Sequence, residues 1–192
     1  MYRNKKRKRI VYVHISLYLT CLRGKKKKEK DKRYHFSDWK VTTLARRAGG
    51  GGLIRDHDGS WIKGYARGIE YINSIMAELW ALRDGLVLAK EMRLNNLVIE
   101  LDALSVVVLM NNGSENLLIE PLLTDCKNLL KEIPNKRVIH TYYEANQSVD
   151  ALAKLGAQSL ANFVVFCNPS PMVKPILTWD KANMCYNRPV NS

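Results

Sequence analysis

Two periodicities meet at Asn73, and the change between them constrains the fold more than any other feature. Before it runs "GGGGLIRDHDGSWIKGYARG" (Gly49 to Gly68), with an Asp-Gly pair between β-prone segments. That is a hairpin signal, and residues 52–68 are expected to form two antiparallel strands. After it, Ile75, Leu79, Leu82, Leu86 and Ala89 recur three and four residues apart. That spacing predicts a helix capped by Asn73 or Ser74 and running to about Met92. A hairpin followed by a long amphipathic helix needs a sheet with helices packed on it.

The rest of the chain extends the same plan. "KVTTLA" before the glycines reads as a short strand, which makes three at the start. "NLVIELD" reads as a strand and "ALSVVVLMNNG" as a short helix closed by Asn-Asn-Gly. "PLLTDCKNLLKEI" is amphipathic with Pro121 in its first turn, where a missing N–H costs nothing. "KRVIHTYY" reads as a strand and "SVDALAKLGAQSL" as a helix capped by Ser148. The order is β-β-β-α-β-α-α-β-α, without internal repeats. Residues 161–192 contain prolines at 169, 171 and 175 and little periodicity, and are expected to be a C-terminal extension.

Charge divides the 192 residues unevenly. The net charge is +13, yet residues 1–33 hold 14 Lys/Arg against 2 Asp/Glu. The remaining 159 carry 17 basic and 16 acidic residues and are nearly neutral. Residues 1–38 are therefore expected to be a basic, disordered extension, with its clusters suited to nuclear import or nucleic acid. Between the clusters lies "IVYVHISLYLTCL". Its 13 residues are short of the ~20 that a bilayer span needs. Val11, Val13, Ile15, Leu17 and Leu19 alternate with more polar residues, which is also a strand pattern. No stable membrane association is expected. Cys21, Cys126, Cys167 and Cys185 form no Cys-x-x-Cys pair and no zinc spacing. They read as reduced thiols of an intracellular protein, nuclear or cytoplasmic, and a monomer.

Three carboxylates fit poorly in a simple core. Glu78 lies three residues after Ile75 and four before Leu82, on the apolar stripe of its helix. A buried carboxylate there needs a cation, a metal or water; at the stripe edge, the helix dipole would suffice. Asp102 ends the strand "LVIELD" and could cap the following helix. Asp150 falls in the first turn after Ser148, where the dipole also favours it. Together, the three occupy a helix face, a strand end and a helix start, positions that can converge at one edge of an α/β sheet. Converging carboxylates repel unless a divalent cation neutralises them, and hard oxygen ligands suit Mg²⁺ or Mn²⁺.

The blocks "AGGGGLIRDHDGSWIKGYARG", "MAELWALRDGLVLAKEM", "LVIELDALSVVVLM" and "EANQSVDALAKLG" resemble, in order, the plant ribonuclease H-like domains. These belong to the type 1 ribonuclease H superfamily and are often retroelement-derived, reverse-transcriptase-like proteins. The resemblance covers about 120 residues, so the domain is expected over 39–160. It implies an α/β, ribonuclease H-like fold: a five-stranded mixed sheet, its first three strands antiparallel, flanked by helices. It implies a site in which acidic residues hold two Mg²⁺ ions and cut the RNA strand of an RNA–DNA hybrid. Residue by residue, Glu78, Asp102 and Asp150 match the helix glutamate, the strand-end aspartate and the last aspartate. Asn146 matches a loop or substrate contact. Gly51 and Gly52 are expected where a backbone, plausibly a nucleic-acid strand, comes close. The fourth carboxylate of the family belongs in the first strand. Leu44 stands there, and no Asp or Glu occurs from Val41 to Ile54. The catalytic histidine has no clear match; His140 lies inside a strand.

Three functions remain open from the sequence. One is a metal-dependent RNA–DNA hybrid endonuclease, impaired by the missing aspartate. Another is an inactive nucleic-acid-binding or interaction module of the same fold. The last is a mispredicted gene fragment whose N-terminal region is an artefact.

Overall fold

The computed structural model describes residues 10–19, 48–69, 73–113, 116–141 and 147–186. Strands β1 (Val11–Leu19), β2 (Ala48–Asp56), β3 (Trp61–Ile69), β4 (Asn96–Leu101), β5 (Asn135–His140) and β6 (Phe163–Phe166) form one sheet in the order β5-β4-β1-β2-β3-β6. The first three strands are antiparallel, while β4 pairs parallel with β1 and with β5. Helices α1 (Ser74–Glu91), α2 (Leu104–Asn112), α3 (Glu120–Lys131), α4 (Gln147–Gln158) and α5 (Val173–Tyr186) complete the chain. The mixed sheet is as expected, with a sixth strand at one edge.

The hairpin and the long helix form for the reasons visible in the sequence. Asp56 accepts hydrogen bonds from the amides of Asp58 and Ser60, and Gly59 takes φ +75° in the turn. The side chain of Asn73 accepts from the Met76 amide and caps α1. Leu79, Leu82, Leu86 and Ala89 are buried against Val13, Ile15, Ile54, Ile99 and Leu101. Helices α2 and α3 join this larger core through Val106, Met110, Leu123 and Cys126. A smaller core of Leu53, Val149, Leu152 and Val173 lies under α4 and α5.

The glycine run explains how two helices fit on one sheet. A Cβ added at Gly50 would press on Ala81 of α1, whereas Cβ atoms at Gly49 and Gly51 would strike the α4 backbone at Ala153. Successive residues of a strand face opposite ways, so α1 and α4 lie on opposite faces. A Cβ at Gly52 would enter the ring of Tyr65, whose hydroxyl donates to the Ala81 carbonyl oxygen. All four glycines are buried. Gly51 and Gly52 therefore lie against the protein's own helix and ring, where the expectation placed a nucleic-acid strand. Glycine was required there for space, and close approach by a helix answers that requirement as well as a nucleic acid would.

Two expectations about the chain ends also change. Val11–Leu19 is the central strand, bridging β2 and β4, and not part of an extension outside the domain. Its alternation was visible, but the flanking lysine runs drew it into the charged tail. "KVTTLA" and Leu44 lie outside the described residues. Beyond residue 160, β6 pairs antiparallel with β3, and α5 packs on α4 with Val173 fully buried. Four residues of strand and a proline-containing helix give too little periodicity to be seen in sequence.

Candidate active site

Glu78 is the fifth residue of α1 and only 7% exposed, as expected for a carboxylate on the apolar stripe. Its Oε2 has no hydrogen-bond partner among the described residues. Burial and, second, the negative charge of Asp102 push its carboxyl up to about 9. Asp102 follows β4 directly. The cap position of α2 falls to Ala103, so Asp102 stands one residue outside it. The structure thus brings Glu78 and Asp102 together. Two interacting carboxylates, one of them buried, favour a proton on one or the uptake of a cation. Their oxygen donors and the orphaned Oε2 fit a hard divalent cation such as Mg²⁺ or Mn²⁺.

His140 pairs in register with Leu101, and its Nε2 lies 3.2 Å from the backbone oxygen of Asp102. A residue read as strand interior thus borders the candidate site from the neighbouring strand.

Asp150 sits in the first turn of α4, on the other face of the sheet, and is buried. Lys154, one turn later, places its Nζ 2.6 Å from the carboxylate. The charge that raises Glu78 is that of Asp102, not Asp150. Ser148 lies inside α4 rather than at its cap, and its amide donates to Asp180 of α5. Neither Asp180 nor its fully buried neighbour Arg55 stood out in the sequence. Asp180 lies where no periodicity marks a buried face, and Arg55 reads as an ordinary hairpin residue. Asn146 is outside the described residues.

The β1–β4 ladder ends at the pair Ile15 and Leu101, so Ser16 and Asp102 are the residues that follow the last pair on the two strands. No Asp or Glu occurs from Met1 to Lys28. The described first strand, Val11–Leu19, contains no Asp or Glu, and Leu44, the position expected from the resemblance, lies outside the described residues. Asp56, His57 and Asp58 offer ligand atoms within 4.8 Å of one another. They cannot substitute, because Asp56 pairs with Val11 at the far end of β1, ~17 Å away at ~3.3 Å per residue. Asp56 is also engaged in the hairpin turn.

A family model described as "Reverse transcriptase-like" matches residues 37–156, well over half of the chain. The chain belongs to the reverse transcriptase-like family. A protein of Arabidopsis thaliana provisionally named a ribonuclease H protein is 32% identical over 107 residues. That stretch is 55% of this chain and 17% of the relative, so the chain spans about a sixth of that protein's length. Among solved structures, ribonuclease H1 of Halobacterium salinarum superposes with a TM-score of 0.58 at 15% identity, covering 77% of this chain and 97% of that one. LC11 ribonuclease H1, solved in complex with an RNA/DNA hybrid, gives 0.58 at 15% identity, over 77% and 96%. A foamy viral protease–reverse transcriptase solved with double-stranded DNA gives 0.54 at 14% identity, over 82% and 98%. These likenesses show the fold: this member of the reverse transcriptase-like family is a ribonuclease H-like domain. Its sequence match starts at residue 37, whereas its first strand in the sheet is Val11–Leu19.

Proposed function

We propose that this ribonuclease H-like domain binds RNA–DNA hybrids at the sheet edge where β4 ends, and hydrolyses the RNA strand weakly. The observation that carries the reading is the Glu78–Asp102 pair, with Oε2 of Glu78 buried and lacking a hydrogen-bond partner among the described residues. Glu78 and Asp102 would hold a divalent cation, and Asp150 would join them once released from Lys154. A cation bound there polarises a phosphodiester oxygen and acidifies the attacking water. Glu78 must lose its proton for this, so ion uptake and deprotonation are coupled. We place the family's first aspartate at Ser16, which follows the last β1–β4 pair as Asp102 does, so that a serine stands there in place of a charge. That substitution costs metal affinity and transition-state stabilisation together.

Cleavage of a labelled hybrid in Mn²⁺ tests this. Wild type should cut slowly, Asp102→Asn should abolish cutting, and Ser16→Asp should raise the rate by ~10-fold or more, the scale of one added electrostatic group. Cutting that is indifferent to Asp102→Asn would refute the reading. A binding module without hydrolysis is the second reading, favoured by the Lys154–Asp150 ion pair. It predicts hybrid binding with no cutting in either wild type or Ser16→Asp.

A further inference from the structure

Helix α4 is capped from outside itself. The first amides of a helix lack intrahelical acceptors, and a side chain just before the helix normally supplies one. In α4, the amide of Ser148 donates instead to Oδ2 of Asp180, at 2.7 Å, from a residue 32 positions later in α5. Both partners are fully or almost fully buried. A carboxylate at this end of a helix also meets the positive end of the helix dipole.

The charge of Asp180 also acts on a buried cation. Arg55 of β2 is fully buried, and none of its guanidinium nitrogens has a hydrogen-bond partner among the described residues. Asp180 and Glu100 are the acidic groups that offset its charge. Asp180 thus links three elements: the sheet through Arg55, α5 through its own backbone, and α4 through Ser148. Two residues beyond Ser148, in the same turn, stands Asp150.

We propose that Asp180 is a positioning residue: by holding the Ser148 amide, it fixes the first turn of α4 and with it the place of the Asp150 carboxylate. This rests on the reading of Asp150 as a cation ligand. Groups that orient a ligand change metal affinity by ~10–100-fold when removed.

The test separates the hydrogen bond from the charge pair. Two double variants of the full chain remove both charges: Arg55→Met with Asp180→Asn, whose amide oxygen can still accept from Ser148, and Arg55→Met with Asp180→Leu, which cannot. Neither leaves an unpaired buried charge, so both should fold; circular dichroism checks this. Mn²⁺ affinity is measured by titration, and exchange of the Ser148 amide by NMR. The Asn form should bind Mn²⁺ within ~3-fold of wild type and keep the amide protected. The Leu form should bind ~10-fold or more weakly and exchange that amide quickly. Equal Mn²⁺ affinity in the two double variants, with Asp150→Asn still weakening binding, overturns the positioning role alone. If Asp150→Asn leaves Mn²⁺ affinity unchanged, the reading of Asp150 fails and the proposal falls with it.

Discussion

Gly51 has no room for a methyl group. A Cβ there falls 2.5 Å from the amide nitrogen of Ala153 in α4, and backbone cannot step aside as a flexible side chain can. Gly51→Ala should therefore destabilise the fold by about 1–3 kcal/mol, as overpacking does; urea denaturation measures it. If the glycine served only a substrate, stability would not change. Glu78 yields a prediction of opposite sign. Its ordinary value of 4.5 is raised to about 9 in the fold. Below pH ~4.5 it is neutral in both the folded and the unfolded chain. Between there and about 9 the unfolded chain has released the proton while the folded chain retains it, so stability falls as pH rises through that window. In metal-free buffer, Glu78→Gln should raise the melting midpoint at pH 8 by more than ~2 °C, and by much less at pH 4. An equal effect at both pH values would contradict the burial of an ionisable pair. The carboxylates were legible because polar residues on an apolar stripe or at a strand end violate a pattern. The partner of the glycines was not, because a short side chain records a close neighbour without naming it.

Helix α5 closes the smaller core. Val173 covers Leu53, Val149 and Leu152, and Asp180 offsets the buried charge of Arg55. A chain ending at residue 160 loses both and leaves the buried Arg55 with less compensation, which is costly for a charge in the interior. Calorimetry should show a much lower or vanished unfolding transition; an unchanged midpoint would mean that α5 is an appendage. At this scale the sequence was readable where periodicity was long. α1 was expected from Asn73 or Ser74 to about Met92 and runs from Ser74 to Glu91. The hairpin was readable from its Asp-Gly turn. α5 was not readable, because among its described residues Val173, Leu177 and one carboxylate hold it, without a continuous stripe. β1 was half-readable. Its alternating residues fit a strand, but only the pairing with Gly49–Gly52 and with Leu97–Leu101 shows that it fills the centre of the sheet.

For the whole molecule, the position of β1 changes the meaning of the basic segments. The 14 Lys/Arg of residues 1–33 are not one tail, since a central strand separates them. Deleting residues 1–33 would remove that strand and unfold the domain, so charge must be tested in place. Replacing Lys25, Lys26, Lys27 and Lys28 with Gln should lower the salt slope of hybrid binding by at least ~1, the contribution of one phosphate contact. An unchanged slope would exclude those lysines from the interface. The remainder of the domain is nearly neutral, so its grip on a hybrid would rest on backbone and 2′-hydroxyl contacts. The central claim is narrower: Glu78 and Asp102 form a divalent-cation site. Titrating the full chain with Mn²⁺ at pH 8, alongside Glu78→Gln and Asp102→Asn, tests it most directly. Saturable binding by wild type that weakens ~10-fold or more in each variant is the predicted result. Binding that both variants leave unchanged, or no binding in wild type, would contradict it.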